Sequence, residues 1–267
     1  MTSAGDRQPR QASCAELPRA VDAVVIGGGH AGIEAAWALA RLGRQVALVT
    51  FDASGLARMS CNPSIGGLAK GQLVREIDAL GGLMGRLIDR TGIHYRMLNR
   101  RKGPAVQAPR AQADKLAYSA EARRVLAALP RLIFVEAEVT EIVVESPVEA
   151  SRPRVAGVRL APPDWDAVRP GGAHSDAPAH RSSQPSAGDA ESPDAPGRVV
   201  RLEGTADLPA RAVVIAAGTF LRARLFTGPD PRPGGRRGEP PAQGLSGCLE
   251  RLGLKLVDVP IDGAEGI

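Results

Sequence analysis

The segment VDAVVIGGGHAGIEAAWALARLGRQVALVTFD, residues 21–52, constrains the fold more than any other part of the chain. A β-branched apolar run from Val21 to Ile26 leads directly into a glycine-rich turn. A helix of small residues, Ala31 to Leu42, follows, and Val46 to Val49 predicts the next strand. This order is typical of the first βαβ unit of a dinucleotide-binding fold. The segment therefore predicts an α/β protein with a doubly wound, Rossmann-like parallel sheet.

The glycines of the turn fit the spacing G-x-G-x-x-G. Gly27 permits the tight turn, Gly29 lets the backbone approach a pyrophosphate, and Gly32 lets the helix pack against the strand. The free N–H groups at the helix N-terminus then face the anion. The acidic residue that usually binds a ribose is missing, since Thr50 stands near that position and Asp52 follows two residues later. The turn predicts a dinucleotide but does not decide between NAD and FAD.

Composition sets outer limits on what the chain can be. Its 267 residues suffice for one large or two small domains, and 43% hydrophobic residues supply a core, although aromatic residues make up only 3%. We find no membrane-length apolar run and no signal-peptide pattern. Three scattered cysteines favour neither a disulfide framework nor a metal site and fit a reducing, cytoplasmic compartment. A net charge of +5 permits a polyanionic partner.

A low-complexity stretch, residues 161–198, interrupts the pattern of strands and helices. It consists mainly of Pro, Ala, Ser, Asp and Gly, so it cannot bury enough apolar surface to offset the entropy of ordering. We expect a disordered insertion at the tip of a hairpin formed by Val155–Leu160 and Val199–Leu202, with His174 and His180 as solvated loop residues rather than metal ligands. The predicted organisation is a disordered leader (1–20), the first part of the nucleotide-binding domain (21–160), the insertion (161–198) and the incomplete continuation of that domain (199–267).

Periodicity predicts the remaining elements. We expect a loop over residues 53–71 and an apolar face of Leu73, Ile77 and Leu80 on the helix that follows it. The predicted helices are Gln72–Leu80, Gly82–Arg90 and Ala111–Leu129. The predicted strands are Ile93–Leu98, Leu132–Val135, Val139–Val144 and a buried strand Ala212–Ala216.

The motif MSCNPSIGG, residues 59–67, places Cys61 in a loop just after the second strand. That is the carboxyl edge of the sheet, where ligands bind in such folds. Cys61 is therefore a candidate for contact with a cofactor ring or for a nucleophile. A buried, inert cysteine is equally consistent with this position.

Two stretches are basic. Residues 90–113 contain six basic residues and no acidic residue, and residues 220–242 contain five arginines among many Gly and Pro. Either stretch can bind a phosphate backbone, although a solvated basic surface is the more common reason for such a run. His94, within the first stretch, has no catalytic partner nearby in sequence. The basic residues are Arg90, Arg96, Arg100, Arg101, Lys102 and Arg110 in the first stretch and Arg222, Arg224, Arg232, Arg236 and Arg237 in the second.

In combination, five segments of the chain resemble one family. They are GGGHAGIEAA, MSCNPSIGGLAKG, VREIDALGGLMG, RMLNRRKGPAVQAPRAQADK and VVIAAGTFL. The family is that of the tRNA uridine-5-carboxymethylaminomethyl modification enzymes, also called glucose-inhibited division protein A. The resemblance covers roughly residues 21–160 and 199–250.

The resemblance implies an FAD-binding domain of the two-dinucleotide flavoprotein type with a β-meander. Cys61 matches a family cysteine near the flavin, the backbone of Val139 matches the position that meets the adenine, and Gly218 lies in the turn that returns the chain toward the cofactor. Thr50 stands at the ribose position. The residues matching the pyrophosphate cradle are Gly27, Gly28, Gly29, His30, Ala31 and Gly32.

The resemblance also implies an activity. Family members, with a partner GTPase and using NADH and a folate one-carbon unit, add an aminomethyl-type group at C5 of wobble uridine 34 of tRNA, and the full-length proteins form homodimers. The basic stretches would then contact phosphates of the anticodon stem.

Two departures limit the resemblance. Pro233 stands where the family pattern has a serine, and the similarity fades after about Leu256, so the chain looks like an amino-terminal portion. Two alternatives remain open: a folate- and FAD-dependent tRNA uracil methyltransferase, and a non-catalytic, truncated flavin-domain fragment.

Overall fold

The computed structural model describes residues 16–59, 63–67, 69–146, 152–168, 197–226, 231–236 and 238–257. The α-helices are α1 (His30–Arg41), α2 (Lys70–Ala79), α3 (Met84–Thr91), α4 (Lys115–Ala127) and α5 (Gly244–Arg251). The strands are β1 (Val21–Ile26), β2 (Val46–Thr50), β3 (Ser64–Gly66), β4 (Gly92–Leu98), β5 (Ala108–Ala113), β6 (Leu132–Glu136), β7 (Glu138–Glu145), β8 (Arg154–Ala161), β9 (Val199–Arg201), β10 (Ala206–Ile215), β11 (Arg224–Leu225) and β12 (Arg232–Pro233).

A seven-stranded sheet in the order β7-β8-β10-β1-β2-β6-β9 forms the centre of the fold. Strands β10, β1, β2, β6 and β9 run parallel, and β7, β8 and the first half of β10 form an antiparallel meander. Strand β10 therefore belongs to both parts, because residues 206–209 pair with β8 and residues 210–215 pair with β1. The predicted fold class and β-meander are confirmed.

Neighbouring residues of β1 face opposite sides of the sheet, and each side has its own core. Val25 belongs to a cluster that includes Ile33 and Trp37 of α1 and residues of α3 and α4. Val24 belongs to a second cluster, with Leu245 of α5 and residues of the meander. Because both faces of the central strands are buried, these strands are continuously apolar, as parallel strands require.

The predicted hairpin of strands 155–160 and 199–202 is wrong. Strand β8 pairs with β7 and β10, whereas β9 joins β6 in parallel at the far edge of the sheet. Parallel pairing requires a crossover rather than a tight turn. Residues 169–196, most of the predicted insertion, lie outside the described residues, so the disorder of that part stays a prediction, as does that of leader residues 1–15. Within the described part of the predicted insertion, Trp165–Val168 form a short 3₁₀ helix.

Three other expectations are wrong in part. The helix predicted from Ala111 begins only at Lys115, because the Asp114 carboxylate accepts hydrogen bonds from the N–H groups of Leu116 (3.0 Å) and Ala117 (2.9 Å) and caps the helix there. The strand predicted as buried at Ala212–Ala216 is half-exposed, and the Ile215 side chain is 41% exposed. The loop predicted at 53–71 contains β3 and the first two residues of α2.

Two of the three residues predicted to form the apolar face on the helix after that loop face solvent, and the third, Ile77, is half-buried. In α2, Leu73 is 55% exposed, and Leu80, just after the helix, is 90% exposed, while Val74 packs against the core. Strands β3, β5 and β4 form a separate three-stranded antiparallel sheet beside this helix. No helix in the described ranges is long and apolar enough to cross a bilayer.

Candidate dinucleotide-binding site

The glycine-rich turn lies at the carboxyl ends of three parallel strands. The Gly27 N–H donates to the Val49 carbonyl (2.8 Å) of β2, and the Ala216 N–H, just after β10, donates to the Ile26 carbonyl (2.8 Å) of β1. The turn is therefore held between the two neighbours of β1. This is the edge of an open α/β sheet where ligands bind.

The glycines of the motif meet different surroundings. Gly27 has φ of +107°, and a Cβ there would lie 2.3 Å from the Ala216 carbonyl oxygen. A Cβ on Gly32 would lie 1.8 Å from the Gly27 carbonyl oxygen, so α1 packs directly on the turn. A Cβ on Gly29 would meet nothing within 4 Å. Two glycines are thus needed for packing, whereas Gly29 opens toward space that a ligand can fill.

The N-terminus of α1 is free to bind an anion. Gly29 is the N-cap and supplies no side chain, and the first turn of the helix contains no acidic residue. Ala31, in that turn, is exposed. Unpaired N–H groups at such a terminus, together with the helix dipole, favour a phosphate.

His30 and Tyr118 form a buried aromatic pair beside this terminus. Their ring centroids lie 5.7 Å apart. The His30 Nε2 and the Tyr118 hydroxyl are both buried, and neither has a hydrogen-bond partner within the part of the chain that the structure describes. Burial, and secondarily the charges of Lys70 and Arg236, lower the pKa of His30 to about 4. Burial, and secondarily Glu34, raise the pKa of Tyr118.

Positive charge converges on the turn from distant segments. Lys70 is the first residue of α2, and Arg236 lies over the Phe220 ring at 5.3 Å. Phe220 in turn contacts Phe51 edge-on, with centroids 5.8 Å apart, which places Phe220 against the end of β2. Burial lowers the pKa of Arg236. An anion bound at the turn would offset this concentration of positive charge.

Acidic groups near the end of β2 are engaged in structural contacts. The Asp52 carboxylate accepts from the Ser54 N–H (2.7 Å) and lies 3.8 Å from Arg58. Arg58 also pairs with Glu239, which connects the loop after β2 to residues 238–242.

The structure brings some of the other predicted site residues to this edge. A Cβ on Gly28 would lie 3.0 Å from the Thr50 hydroxyl oxygen, so Thr50 borders the turn. The Thr50 carbonyl accepts from the Ala137 N–H (3.0 Å), and the buried Val139 follows two residues later in β7. Gly218, with φ of +57°, lies in an exposed turn after β10. Their contacts with a cofactor stay predictions.

Cys61 lies outside the described residues, so its predicted role near a flavin is not tested. Cys248, in contrast, is buried in the second core, where its sulfur accepts from the Ile142 N–H at 3.2 Å. Sequence reasoning missed Tyr118 as a site residue, because nothing within α4 indicates which part of the sheet this helix covers.

The glucose inhibited division protein A family model matches residues 22–164 and 189–263. The chain belongs to this family. The match continues beyond Leu256, farther than the motifs indicate. Several curated relatives are named tRNA uridine 5-carboxymethylaminomethyl modification enzyme MnmG. The relative from Protochlamydia amoebophila is 40% identical to this chain, over 90% of this chain and 31% of the relative. The relative from a Roseiflexus species is 44% identical, also over 90% of this chain and 31% of the relative.

Solved structures agree with this assignment. The Aquifex aeolicus GidA structure matches with a TM-score of 0.68 and 40% identity, over 89% of this chain and 32% of that one. A GidA-related protein from Thermus thermophilus matches over 89% of this chain and 71% of that one, with a TM-score of 0.52 and 22% identity, which shows a shared fold. The chain spans about a third of the length of the GidA and MnmG relatives it matches.

Proposed function

We propose that this chain binds FAD and supplies the cofactor site of an enzyme that adds a carboxymethylaminomethyl group to wobble uridine 34 of tRNA. Membership of the glucose inhibited division protein A family and the names of its relatives support the reaction. The observation that carries the cofactor assignment is the open, uncapped N-terminus of α1 at Gly29, with Lys70 and Arg236 close to His30.

The residues of the turn fit a dinucleotide diphosphate. The first N–H groups of α1 would bind the pyrophosphate, and the two cations would balance its charge. The dinucleotide would supply hydrogen-bond partners for the buried His30 Nε2 and Tyr118 hydroxyl, and burial holds the His30 ring neutral. When bound, the flavin supplies redox transfer of the one-carbon unit.

The other components of the reaction complete the proposal. NADH and a folate one-carbon donor are the proposed co-substrates, and a GTPase and a second copy of the full-length protein are the proposed partners. Because the chain spans about a third of its relatives, we expect the 267-residue chain alone to bind cofactor without turning over tRNA.

The visible absorption spectrum of the purified chain, recorded before and after addition of FAD and gel filtration, tests the cofactor assignment. We expect flavin bands to co-elute with the protein and NAD⁺ not to displace them. Lys70→Gln should weaken FAD binding, because one cation facing the diphosphate is lost. Lys115→Gln is the matched control, since Lys115 is likewise an exposed first residue of a helix. A folded chain that retains no flavin would contradict the proposal.

The reaction is tested separately in cells. A deletion strain complemented with the full-length family protein should regain the modification at wobble uridine 34. Restoration of a methylated uracil elsewhere in tRNA would instead indicate the methyltransferase.

A further inference from the structure

The outer face of the small sheet β3–β5–β4 contains two arginines in direct register. Arg96 of β4 and Arg110 of β5 are cross-strand partners, and Gly66 of β3 lies on the other side of Arg110. Partners in an antiparallel pair project to the same side of the sheet. On the opposite face Ile65 and Ala111 are buried in the core, whereas Tyr95, the cross-strand partner of Ala111, is 55% exposed. The two guanidinium groups therefore share one face of the sheet, on which Arg96 is exposed and Arg110 is half-buried.

This arrangement is unfavourable for the folded chain by itself. Like charges directly opposite each other destabilise a sheet. No carboxylate within the described ranges forms an ion pair with Arg96 or Arg110, whereas Arg90 pairs with Glu121 and Arg222 pairs with Glu250. The repulsion on this face is not offset by the protein, which points to an anionic ligand that offsets it.

The hairpin tip between β4 and β5 extends the positive surface. Arg100, Arg101 and Lys102 are exposed there and likewise have no ion-pair partner in the described part of the chain. Side chains within the loop hold its shape: the Asn99 amide donates to the Val106 carbonyl (2.9 Å) and the Gln107 amide donates to the Lys102 carbonyl (3.0 Å). The three cations are thus presented by a turn whose backbone is already ordered.

We propose that Arg96 and Arg110, together with the tip cations Arg100, Arg101 and Lys102, form a surface that binds the phosphate backbone of the RNA substrate. The inference rests on the proposed function, which supplies an RNA substrate. The surface runs from the tip across β4 and β5 to β3, which belongs to the MSCNPSIGG motif.

The composition of this face favours RNA over an acidic protein. The row on one side of the arginines consists of His94, Gln112 and Ser64, all polar, while the row on the other side, toward the tip, consists of Leu98 and the buried Ala108. The centre of a protein–protein interface is depleted in charge and rich in apolar and aromatic residues. Contacts with phosphates, in contrast, need cations and hydrogen-bond donors without an apolar centre.

The test compares two double variants of the 267-residue chain. Arg96→Gln/Arg110→Gln removes the paired arginines, and Arg123→Gln/Arg131→Gln removes the same charge from exposed positions elsewhere. The probe is an unmodified tRNA transcript with uridine at the wobble position. Its dissociation constant is measured between about 50 and 200 mM KCl, because the slope of log K against log salt counts phosphate contacts.

We expect the paired-arginine variant to bind the transcript more weakly and to lower the salt slope by about two, one for each lost contact. The control variant should keep the wild-type slope, and both variants should retain FAD. The melting temperature of the paired-arginine variant should equal or exceed that of the wild type, which shows that weaker binding does not come from unfolding.

Three results would overturn the surface assignment. The first is an unchanged slope of log K against log salt in the paired-arginine variant. The second is a wild-type chain that holds FAD but does not bind the transcript. The third is a wild-type chain that binds polyglutamate as tightly as it binds the transcript. A chain that binds the transcript through this surface but never retains FAD would leave the inference intact and refute the cofactor assignment instead.

Discussion

The His30 and Tyr118 rings are inclined by 38°, and each carries a buried polar atom that has no hydrogen-bond partner in the described part of the chain. A buried donor or acceptor without a partner costs about 1–3 kcal/mol. Such a pair at a helix N-terminus is more consistent with a ligand site than with ordinary core packing.

The first prediction concerns the Tyr118 hydroxyl. Tyr118→Phe should leave the free energy of unfolding of the ligand-free chain unchanged or raise it by about 1 kcal/mol, because an unpaired buried hydroxyl is removed. The FAD affinity of this variant should fall about tenfold, because the proposed hydrogen bond between that hydroxyl and the dinucleotide is lost. Urea unfolding and FAD titration measure the two effects.

Tyr95→Phe is the matched control for this prediction. The Tyr95 hydroxyl donates to the Ile88 carbonyl at 2.8 Å, so its loss should cost about 0.5–1.5 kcal/mol of unfolding free energy and leave FAD binding unchanged. Equal destabilisation by the two substitutions would contradict the view that only the Tyr118 hydroxyl lacks a partner.

The second prediction is a pH dependence of stability caused by His30. The folded-state pKa of about 4 lies below the ordinary value of 6.5. As pH falls, the unfolded chain takes up a proton first, so the free energy of unfolding decreases between pH 6.5 and 4 and is fully retained above 6.5. The decrease should amount to about 3 kcal/mol, because a tenfold difference in proton affinity between the folded and unfolded chains corresponds to about 1.4 kcal/mol.

Urea unfolding at several pH values across that interval, with wild type and His30→Gln, measures this contribution. The His30→Gln curve should be flatter by the amount that the imidazole contributes. Parallel curves for the two proteins would mean that His30 is protonated alike in the folded and unfolded chains.

The third prediction separates the glycine needed for packing from the glycine that faces the ligand. Gly32→Ala should cost about 1–3 kcal/mol or more, because its Cβ would collide with the Gly27 carbonyl oxygen, which is backbone and cannot swing away. Gly29→Ala should cost no more than about 1 kcal/mol, since it has an ordinary φ of −74° and open space around its Cβ, and alanine is only a poorer N-cap. The same Gly29→Ala variant should nevertheless lose FAD.

Urea denaturation and retained flavin absorbance, measured on both variants, check this separation. A Gly29→Ala chain that keeps wild-type flavin content would show that the cofactor does not approach the turn at this residue.

The parts of the fold that depend on neighbouring residues were predictable from the sequence. Strand β1, the glycine turn and α1 follow from β-branched residues, glycine spacing and small residues within one short segment. The partners of β8 and β9 were predicted wrongly, because two strands that flank an insertion look like a hairpin whether or not they pair. Which strand lies beside which depends on the whole sheet.

Local sequence patterns likewise do not predict where a helix begins or which distant residues reach the site. Alanines at 111 and 113 fit a helix as well as a strand, and only the capping bonds of Asp114 decide where α4 begins. The motif predicted the glycines of the site and composition marked Arg236 as a possible phosphate ligand, whereas Tyr118 reaches the site from a helix far along the chain. The role of Tyr118 depends on tertiary packing that no local pattern encodes.

The last prediction follows from the register of Arg96 and Arg110. Arg96→Thr should raise the free energy of unfolding by about 0.2–1 kcal/mol, because it removes a like-charge pair and places a β-branched residue in a strand. Arg123→Thr, in the middle of α4, is the comparison and should lower the free energy of unfolding by a few tenths of a kcal/mol, because threonine is a poor helix former.

Thermal and urea unfolding at low and high salt measure both changes. Salt should reduce the gain from Arg96→Thr, since it screens the repulsion that the substitution relieves. Loss of stability in Arg96→Thr at low salt would show that the two guanidinium groups do not oppose each other, and the sheet face would then have no unbalanced charge for an RNA backbone to neutralise.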